Sequence, residues 1–191
     1  MVTDVVLAGV GGQGNVLSAR ILAEAAMRAG YRVKTSEVHG MAQRGGSVVC
    51  MVRWGEEVYS PLIPRGRADF LLAYELLEGL RFLEYLRPGG TAVVNDYRLD
   101  PLPVLRGDAA YPEDALGLIR EASGKCVVLR ARDLAEEAGS ARAVGTVMLG
   151  ALSVFLQFPR TAWEDSLRQR VPPRALEANL RAFEMGRKAA G

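Results

Sequence analysis

The stretch that decides the fold is Val5-Val6-Leu7-Ala8, followed directly by Gly9-Val10-Gly11-Gly12-Gln13-Gly14. A short apolar run that ends at glycines predicts a buried strand of a parallel sheet. Apolar residues then recur at helical spacing from Asn15 to Ala29, and Gly30 is placed to end that helix. Tyr31 to Val38 alternates polar and apolar residues. These segments together predict a strand–helix–strand unit.

The rest of the chain continues this alternation, which predicts one α/β domain over residues 1–191. Val48–Arg53 and Val58–Ser60 flank Trp54-Gly55-Glu56-Glu57, a pattern that predicts a β-hairpin. Further strands are predicted at Phe70–Ala73, Thr91–Asn95 and Cys126–Leu129, and helices at Leu76–Leu86, Glu113–Ala122, Arg132–Ala138, Ala143–Phe158, Thr161–Gln169 and Arg174–Ala189. The predicted fold is a Rossmann-like three-layer sandwich with a mostly parallel sheet and an inserted β-hairpin.

Composition and charge exclude several classes of protein. Of the 191 residues 49% are hydrophobic and 24% are charged, which suits a folded domain with a substantial core. The net charge of +2 gives little support to nucleic-acid binding. No apolar run approaches the ~20 residues of a membrane span, and no signal peptide is visible. We therefore expect a cytoplasmic protein that binds neither nucleic acid nor membrane.

Metal and nucleophile motifs are also missing from the sequence. Cys50 and Cys126 are the only cysteines and His39 is the only histidine, so a zinc site or a cysteine-ligated iron–sulfur cluster within this chain is not expected. There is no GxxxxGK[ST] phosphate loop and no GxSxG nucleophile motif. Gly107-Asp108 lacks the downstream asparagine pair of a thiamine-diphosphate motif. We assign no catalytic residue to this chain.

The glycine-rich turn after the first strand is the main candidate site. Gly9, Gly11 and Gly14 fit GxGxxG between a predicted strand and a predicted helix, where backbone N–H groups and the helix dipole favour an anion. A dinucleotide site also needs an acidic residue at the end of the second strand, and Glu37 stands 23 residues after Gly14. The alternative is that these glycines only permit close packing against a neighbouring element or subunit.

A second group of polar residues and glycines follows the second predicted strand. Arg44 beside Gly45-Gly46 could hold a phosphate or a carboxylate through its fork of donors, or it could pair with Glu37. His39 could act in acid–base chemistry, although a lone histidine is more often structural. Both glycine turns follow carboxyl ends of predicted strands, which is the usual ligand crevice of such folds.

Six motifs in order resemble the gamma domain of 2-oxoacid:ferredoxin oxidoreductases, and the resemblance covers nearly the whole chain. These motifs are Gly9–Gly14, Arg44-Gly45-Gly46-Ser47, Tyr59-Ser60-Pro61 with Ile63-Pro64, Asp69–Ala73, Leu149–Leu152 and Asn179–Gly186. Within that family, the chain's size and Ser36–Met41 look most like the small subunit of indolepyruvate ferredoxin oxidoreductase.

The resemblance implies a division of labour between subunits. Holoenzymes of this family decarboxylate a 2-oxo acid on thiamine diphosphate with Mg, pass electrons through iron–sulfur clusters to ferredoxin, and release an acyl-CoA. Those centres would lie in a large partner subunit, and this chain would help to form the coenzyme A and substrate side of the site. The residues we would assign to coenzyme A phosphates are Gly11, Gly12, Gln13, Gly14 and Arg44. Without its partner, an exposed apolar interface would favour a homodimer.

Two other functions remain open from the residues alone. GxGxxG with Glu37 is compatible with a standalone oxidoreductase that binds NAD(P) or flavin. Alternatively the glycines serve packing only, and the small-residue helix from Gly145 to Ser153 is the contact surface of a structural interaction module.

Overall fold

A six-stranded mixed sheet is the middle layer of the structure, a computed structural model that describes residues 2–40 and 45–191. Its strands are β1 (Val2–Val10), β2 (Arg32–His39), β3 (Ser47–Gly55), β4 (Ala68–Ala73), β5 (Leu86–Asn95) and β6 (Lys125–Leu129). They are arranged in the order β2-β3-β1-β4-β5-β6. β3 runs antiparallel to both of its neighbours, and β1, β4, β5 and β6 are parallel to one another.

Helices cover both faces of this sheet. They are α1 (Asn15–Arg28), α2 (Leu76–Arg81), α3 (Leu102–Leu105), α4 (Ala115–Ala122), α5 (Ala131–Glu137), α6 (Val144–Ser153), α7 (Arg160–Arg170) and α8 (Pro173–Ala190), with 3₁₀ turns at Leu83–Tyr85 and Ala141–Ala143. One face packs on α1 and α5–α8 through a core that includes Leu7, Leu22 and Leu72. The other packs on α2 and α4 around Leu71 and Ile119. The predicted α/β sandwich is thus confirmed.

The hairpin lies elsewhere than the sequence predicted. The antiparallel partner of β3 is β2, from Arg32 opposite Gly55 to His39 opposite Val48, and Val58–Ser60 is not a strand. Gly55 pairs with Val2 of β1 as well, so the first two residues of the predicted turn, Trp54 and Gly55, belong to a central strand. The prediction was wrong because Trp54-Gly55, a pair typical of a turn, lies within the sheet, where the Trp54 side chain is buried.

Three predicted element boundaries were also wrong. α2 ends at Arg81, and β5 already begins at Leu86, so the predicted stop signal at 87–90 forms the irregular start of a strand. α6 ends at Ser153 rather than Phe158. The Ser153 hydroxyl donates a 2.6 Å hydrogen bond to the carbonyl of Gly150, which competes with the helical ladder.

Close helix packing explains several of the C-terminal glycines. α6 and α8 cross where Gly150 faces the Phe183 carbonyl and Gly186 faces the Val147 carbonyl. A Cβ atom at either glycine would overlap the facing carbonyl oxygen, so these two positions require the smallest side chain. The helix that the sequence marked as buried or as an interface is therefore buried against α8 of its own chain.

The topology creates a crevice between β1 and β4. These strands are parallel neighbours, but α1 leaves the end of β1 toward one face and α2 leaves the end of β4 toward the other. In open α/β sheets, ligands bind at such a point, outside the carboxyl ends of the strands. The glycine turn at residues 9–14 lies there.

Candidate functional site

The glycine turn has the close contacts and backbone angles that its glycines predict. A Cβ atom on Gly9 would lie 2.9 Å from both the Gln13 Oε1 atom and the Tyr74 Cβ atom. Gly12 and Gly14 have φ angles of 102° and 86°, a left-handed conformation that side-chain-bearing residues rarely adopt. The Gly11 N–H donates to the Gly46 carbonyl at 2.8 Å, which joins the turn to the start of β3.

The side chain of Gln13 fixes the shape of the turn. Its Oε1 atom accepts a 2.7 Å hydrogen bond from the Val10 N–H, and its Nε2 atom donates to the Tyr74 carbonyl at 3.4 Å. Both amide atoms therefore have backbone partners. The structure gives Gln13, which the sequence proposed as a ligand residue, the role of a brace between the turn and the end of β4.

Free backbone donors gather at the start of α1. Within residues 2–40 and 45–191, the N–H groups of Gly12, Gly14, Asn15, Val16 and Leu17 have no hydrogen-bond acceptor. Gly14 is the N-cap residue and supplies no side chain, and the first turn of α1 carries no acidic residue. An uncapped helix end with left-handed glycines before it favours a bound anion.

Two grooves meet at the glycine turn. We call the first, of about 400 Å³, the arginine groove; its lining residues are Gly12, Gln13, Gly14, Asn95, Tyr97, Leu99, Arg132, Ala141, Arg142 and Val144. We call the second, of about 500 Å³, the edge groove; its lining residues are Gly11, Gly12, Gly14, Asn15, Val16, Leu17, Arg20, Glu37, His39 and Val48. The predicted site residues Gly12 and Gly14 face both grooves.

Asn95 connects the turn to the arginine groove. This residue is 2% exposed, and its Nδ2 atom donates to the Tyr74 carbonyl at 3.1 Å while its Oδ1 atom accepts from the Ala131 N–H at 3.0 Å. It thus ties the ends of β4 and β5 to the start of α5. Sequence reasoning missed Asn95, although its position at the end of a predicted strand was a usable signal.

Arg132 and Arg142 were missed as well. They follow β6 and precede α6, more than 110 residues after the glycine turn, and no local motif marks either of them. The predicted Arg44 lies outside the described residues, so its place relative to the turn stays a prediction.

The edge groove brings together Glu37, His39 and Arg20. Arg20 and Glu37 form a loose ion pair with 3.9 Å between nitrogen and oxygen, and both side chains are more than one-third exposed. His39 is exposed and contacts the carbonyl of Gly40 at 3.4 Å. Because β3 separates β2 from β1, Glu37 is displaced by one strand position from where a ribose-binding acid adjoins a glycine turn.

Two buried carboxylates, Glu75 and Glu78, lie beside the crevice. Glu75 is 1% exposed and its oxygens accept hydrogen bonds from the Glu78 N–H at 2.9 Å, the Leu99 N–H at 3.1 Å and the Tyr111 hydroxyl at 2.6 Å. Burial and this hydrogen bond to Glu75 raise the pKa of Tyr111. The Glu75 network anchors the segment that carries Tyr97 and Leu99 into the arginine groove.

The second carboxylate, Glu78, accepts from the Ser47 hydroxyl at 2.5 Å and from Arg81 at 2.7 Å. Burial raises the pKa of Glu78, and the bond from Ser47 partly offsets that rise. Since Ser47 begins β3, this contact holds the start of β3 against α2.

The described residues include no cluster of three His, Cys, Asp or Glu side chains that could hold a metal. Cys50 in β3 and Cys126 in β6 are separated by four strand spacings, ~19 Å. Burial raises the pKa of the Cys50 thiol to about 12.

Among the helices of the described part of the chain, none has the length and apolar character needed to span a membrane.

The fold and the turn define an α/β protein with a glycine-lined crevice at the carboxyl ends of its parallel strands. Residues 4–189 match the family described as pyruvate ferredoxin/flavodoxin oxidoreductase, and the chain belongs to that family. The resemblance stated from the sequence motifs is therefore confirmed.

Three individual proteins show what kind of family member this chain is most similar to in sequence and structure. The chain is 43% identical, over 98% of its length and 95% of the relative's, to indolepyruvate oxidoreductase subunit IorB of Thermococcus kodakarensis. The gamma subunit of a keto/oxoacid ferredoxin oxidoreductase from Geobacter sulfurreducens has a similar structure, with a TM-score of 0.72, 25% identity and 98% of each chain covered. Pyruvate oxidoreductase subunit PORC of Thermotoga maritima also gives a TM-score of 0.72 at 25% identity, covering 98% of this chain and 96% of that one. All three relatives are named as subunits of oxidoreductases.

Proposed function

We propose that this chain is the small subunit of an indolepyruvate:ferredoxin oxidoreductase. The reaction would convert an aryl 2-oxo acid, coenzyme A and two oxidised ferredoxins into acyl-CoA, carbon dioxide, a proton and two reduced ferredoxins. The proposal draws on the IorB relative at 43% identity over nearly the full length of both chains. It also places the complex in the cytoplasm, where both thiols would stay reduced.

Within the complex, we propose that the glycine turn holds phosphates of coenzyme A. The observation that carries this proposal is the set of free N–H groups at Gly12, Gly14 and the first turn of α1, which open on two grooves. Gln13 keeps the turn in the shape that presents these donors, and Gly11 ties it to β3. Arg44 belongs to the proposed site as a further cation.

The redox centres would be held by the large partner subunit. An iron–sulfur cluster does not fit the described residues, because their histidine, cysteine, aspartate and glutamate side chains form no group of three that could hold a metal ion. The sequence also lacks the thiamine-diphosphate motif. With cysteines ~19 Å apart in the sheet, this chain cannot supply two thiolates to one cluster. The contribution of this subunit is to bind and orient coenzyme A at the interface.

A standalone nicotinamide-binding enzyme is the second candidate, since Glu37 does line the edge groove. Two features disfavour it. The displacement of β2 by β3 moves Glu37 away from the glycine turn, and Arg20 already pairs with the Glu37 carboxylate.

A purely structural module is disfavoured by α6, whose small residues are buried within this chain rather than exposed to a partner.

Co-expression with the large subunit tests the proposed function. The purified complex should reduce ferredoxin with indolepyruvate only when coenzyme A is present, and the large subunit alone should not. Full activity of the large subunit alone would contradict the proposal.

Sedimentation of the isolated small subunit tests the accompanying expectation of a homodimer, which the exposed side chains of Leu102 and Leu105 favour.

A further inference from the structure

The connection from β5 to α4 contains a segment, residues 101–110, that is weakly attached to the rest of the fold. It includes α3, none of whose residues is buried. Every hydrogen bond that this segment makes within the described chain joins two of its own residues, such as the 2.8 Å bond from the Asp108 N–H to the Pro103 carbonyl. Gly107, with a φ angle of 79°, ends α3 and lets the chain turn back. The segment is therefore a small body that is held together internally.

A single buried oxygen atom fastens both ends of this segment. The Oε1 atom of Glu75 accepts hydrogen bonds from the Leu99 N–H at 3.1 Å and from the Tyr111 hydroxyl at 2.6 Å. Leu99 precedes the segment and Tyr111 follows it, so its two ends meet at a carboxylate that is 1% exposed. The Arg98 guanidinium lies 4.2 Å from the centre of the Tyr111 ring and packs on it. The base is thus fixed, whereas residues 101–110 have no such tie.

The segment borders the crevice near the glycine turn. Leu102 and Leu105 line a cavity of about 380 Å³, which is also lined by Val10 at the end of β1 and Ser47 at the start of β3. Leu99, at the base, lines both this cavity and the arginine groove. Leu102 is 57% exposed and Leu105 is 70% exposed. Movement of the segment toward Val10 would bury both leucines and narrow the crevice, and the burial of apolar surface favours that movement.

We propose that residues 101–110 form a lid that closes over the crevice when coenzyme A binds, with Glu75 and Tyr111 as its fixed base. In the position that the structure shows, Leu102 and Leu105 face solvent. Closure would turn them toward the crevice and exclude water from it, as loops that close over a substrate do in other enzymes. The lid rests on the proposed function, because coenzyme A is the ligand expected to close it.

Trypsin cleavage after Arg106 tests the position of the lid in the assembled complex. Arg65-Gly66 is the matched control, because it too is an arginine–glycine bond with a positive φ angle at the glycine. It precedes β4, whereas the lid follows β5, so the two bonds lie at opposite ends of parallel strands. Saturating coenzyme A should slow cleavage after Arg106 by about 10-fold or more and leave cleavage after Arg65 unchanged.

A double variant separates closure of the lid from direct shielding by the ligand. Leu102→Ser combined with Leu105→Ser should remove most of the protection, because the closed lid loses its apolar contact. Both side chains are exposed, so this variant should fold like the wild type. Leu118→Ser changes an exposed leucine of α4 and should leave the protection of Arg106 unchanged.

Three results would overturn the lid and leave the proposed function standing. Equal cleavage after Arg106 with and without coenzyme A, in a complex that needs coenzyme A for activity, would show that the segment does not close. Protection that appears on assembly alone would make the segment a fixed subunit contact. Full protection in the double variant would mean that the ligand shields the bond directly. A wild-type complex that turns over without coenzyme A would instead overturn the proposed function itself.

Discussion

The Tyr111 hydroxyl donates a 2.6 Å hydrogen bond to the buried carboxylate of Glu75 and accepts one at 3.0 Å from the Leu77 N–H. Tyr111 and Glu75 are 36 residues apart. Their contact fastens the long connection after β5 to the first turn of α2. Since that connection supplies Tyr97 and Leu99, one wall of the arginine groove depends on this pair.

Replacement of Tyr111 by phenylalanine should lower the free energy of unfolding by about 1–3 kcal/mol, because a buried carboxylate loses a donor and an N–H loses its acceptor. Denaturant unfolding of the isolated subunit measures this. Tyr59→Phe is the control, since Tyr59 is 83% exposed and its hydrogen bond to Glu57 is at the surface. Equal stability of the two variants would contradict the importance of the pair.

Stability should fall at alkaline pH. Folding raises the pKa of the Cys50 thiol from 9.0 to about 12, chiefly through burial. The folded state therefore keeps a proton that the unfolded state loses, and the stability present below pH 9 is lost as the pH rises toward 12. Each such proton contributes a slope of about 1.4 kcal/mol per pH unit. Unfolding measured between pH 10 and 11, where the unfolded thiol is almost fully ionised and the folded one is not, should show this slope, and Cys50→Ala should reduce it; an unchanged slope would contradict the assignment.

Gly150→Ala should separate α6 from α8. The new Cβ atom would overlap the Phe183 carbonyl, and a backbone atom cannot rotate away as a side chain can. We expect a loss of about 1–3 kcal/mol or more, seen as a lower thermal midpoint. Gly40→Ala is the control, since no atom of residues 2–40 and 45–191 beyond its chain neighbours lies within 4 Å of a Cβ atom there. A midpoint as high as that of the control would show that the two helices can shift at little cost.

Gln13→Glu should weaken coenzyme A binding. The new carboxylate could no longer donate to the Tyr74 carbonyl, and it would bring negative charge beside the free N–H groups of the turn. The KM for coenzyme A in the assembled complex should rise by about 10-fold or more. Glu37→Gln alters the edge groove instead and should change that KM little. The reverse ranking would move the coenzyme A site to the edge groove.

The fold class followed from local patterns, whereas the position of β3 did not. Short apolar runs locate β1 and β4, and the helical spacing after Gly14 locates α1. The pairing of β3 between β1 and β2 is a long-range choice, and the sequence around Trp54-Gly55 reads equally well as a turn. Periodicity describes one segment at a time and carries little information about which strand lies beside it.

The candidate site was likewise predictable from the sequence only in part. The glycine turn carries its own signature, because left-handed angles and close approach demand glycine at fixed spacing. Arg132 and Arg142 are ordinary surface arginines until β5 and β6 bring them to the groove. The burial of Glu75 has no local signal in the sequence, because its partners Leu99 and Tyr111 are 24 and 36 residues away.

The central place of β1 has a consequence for synthesis on the ribosome. This strand is the first in the chain, yet its two neighbours are residues 47–55 and 68–73. At a typical 5–20 residues per second, the apolar run from Val5 to Ala8 waits seconds for both partners to be made. Until both segments have been made, β1 cannot form backbone hydrogen bonds along both of its edges. The earliest strand to emerge therefore keeps an open edge until residues 68–73 have followed it.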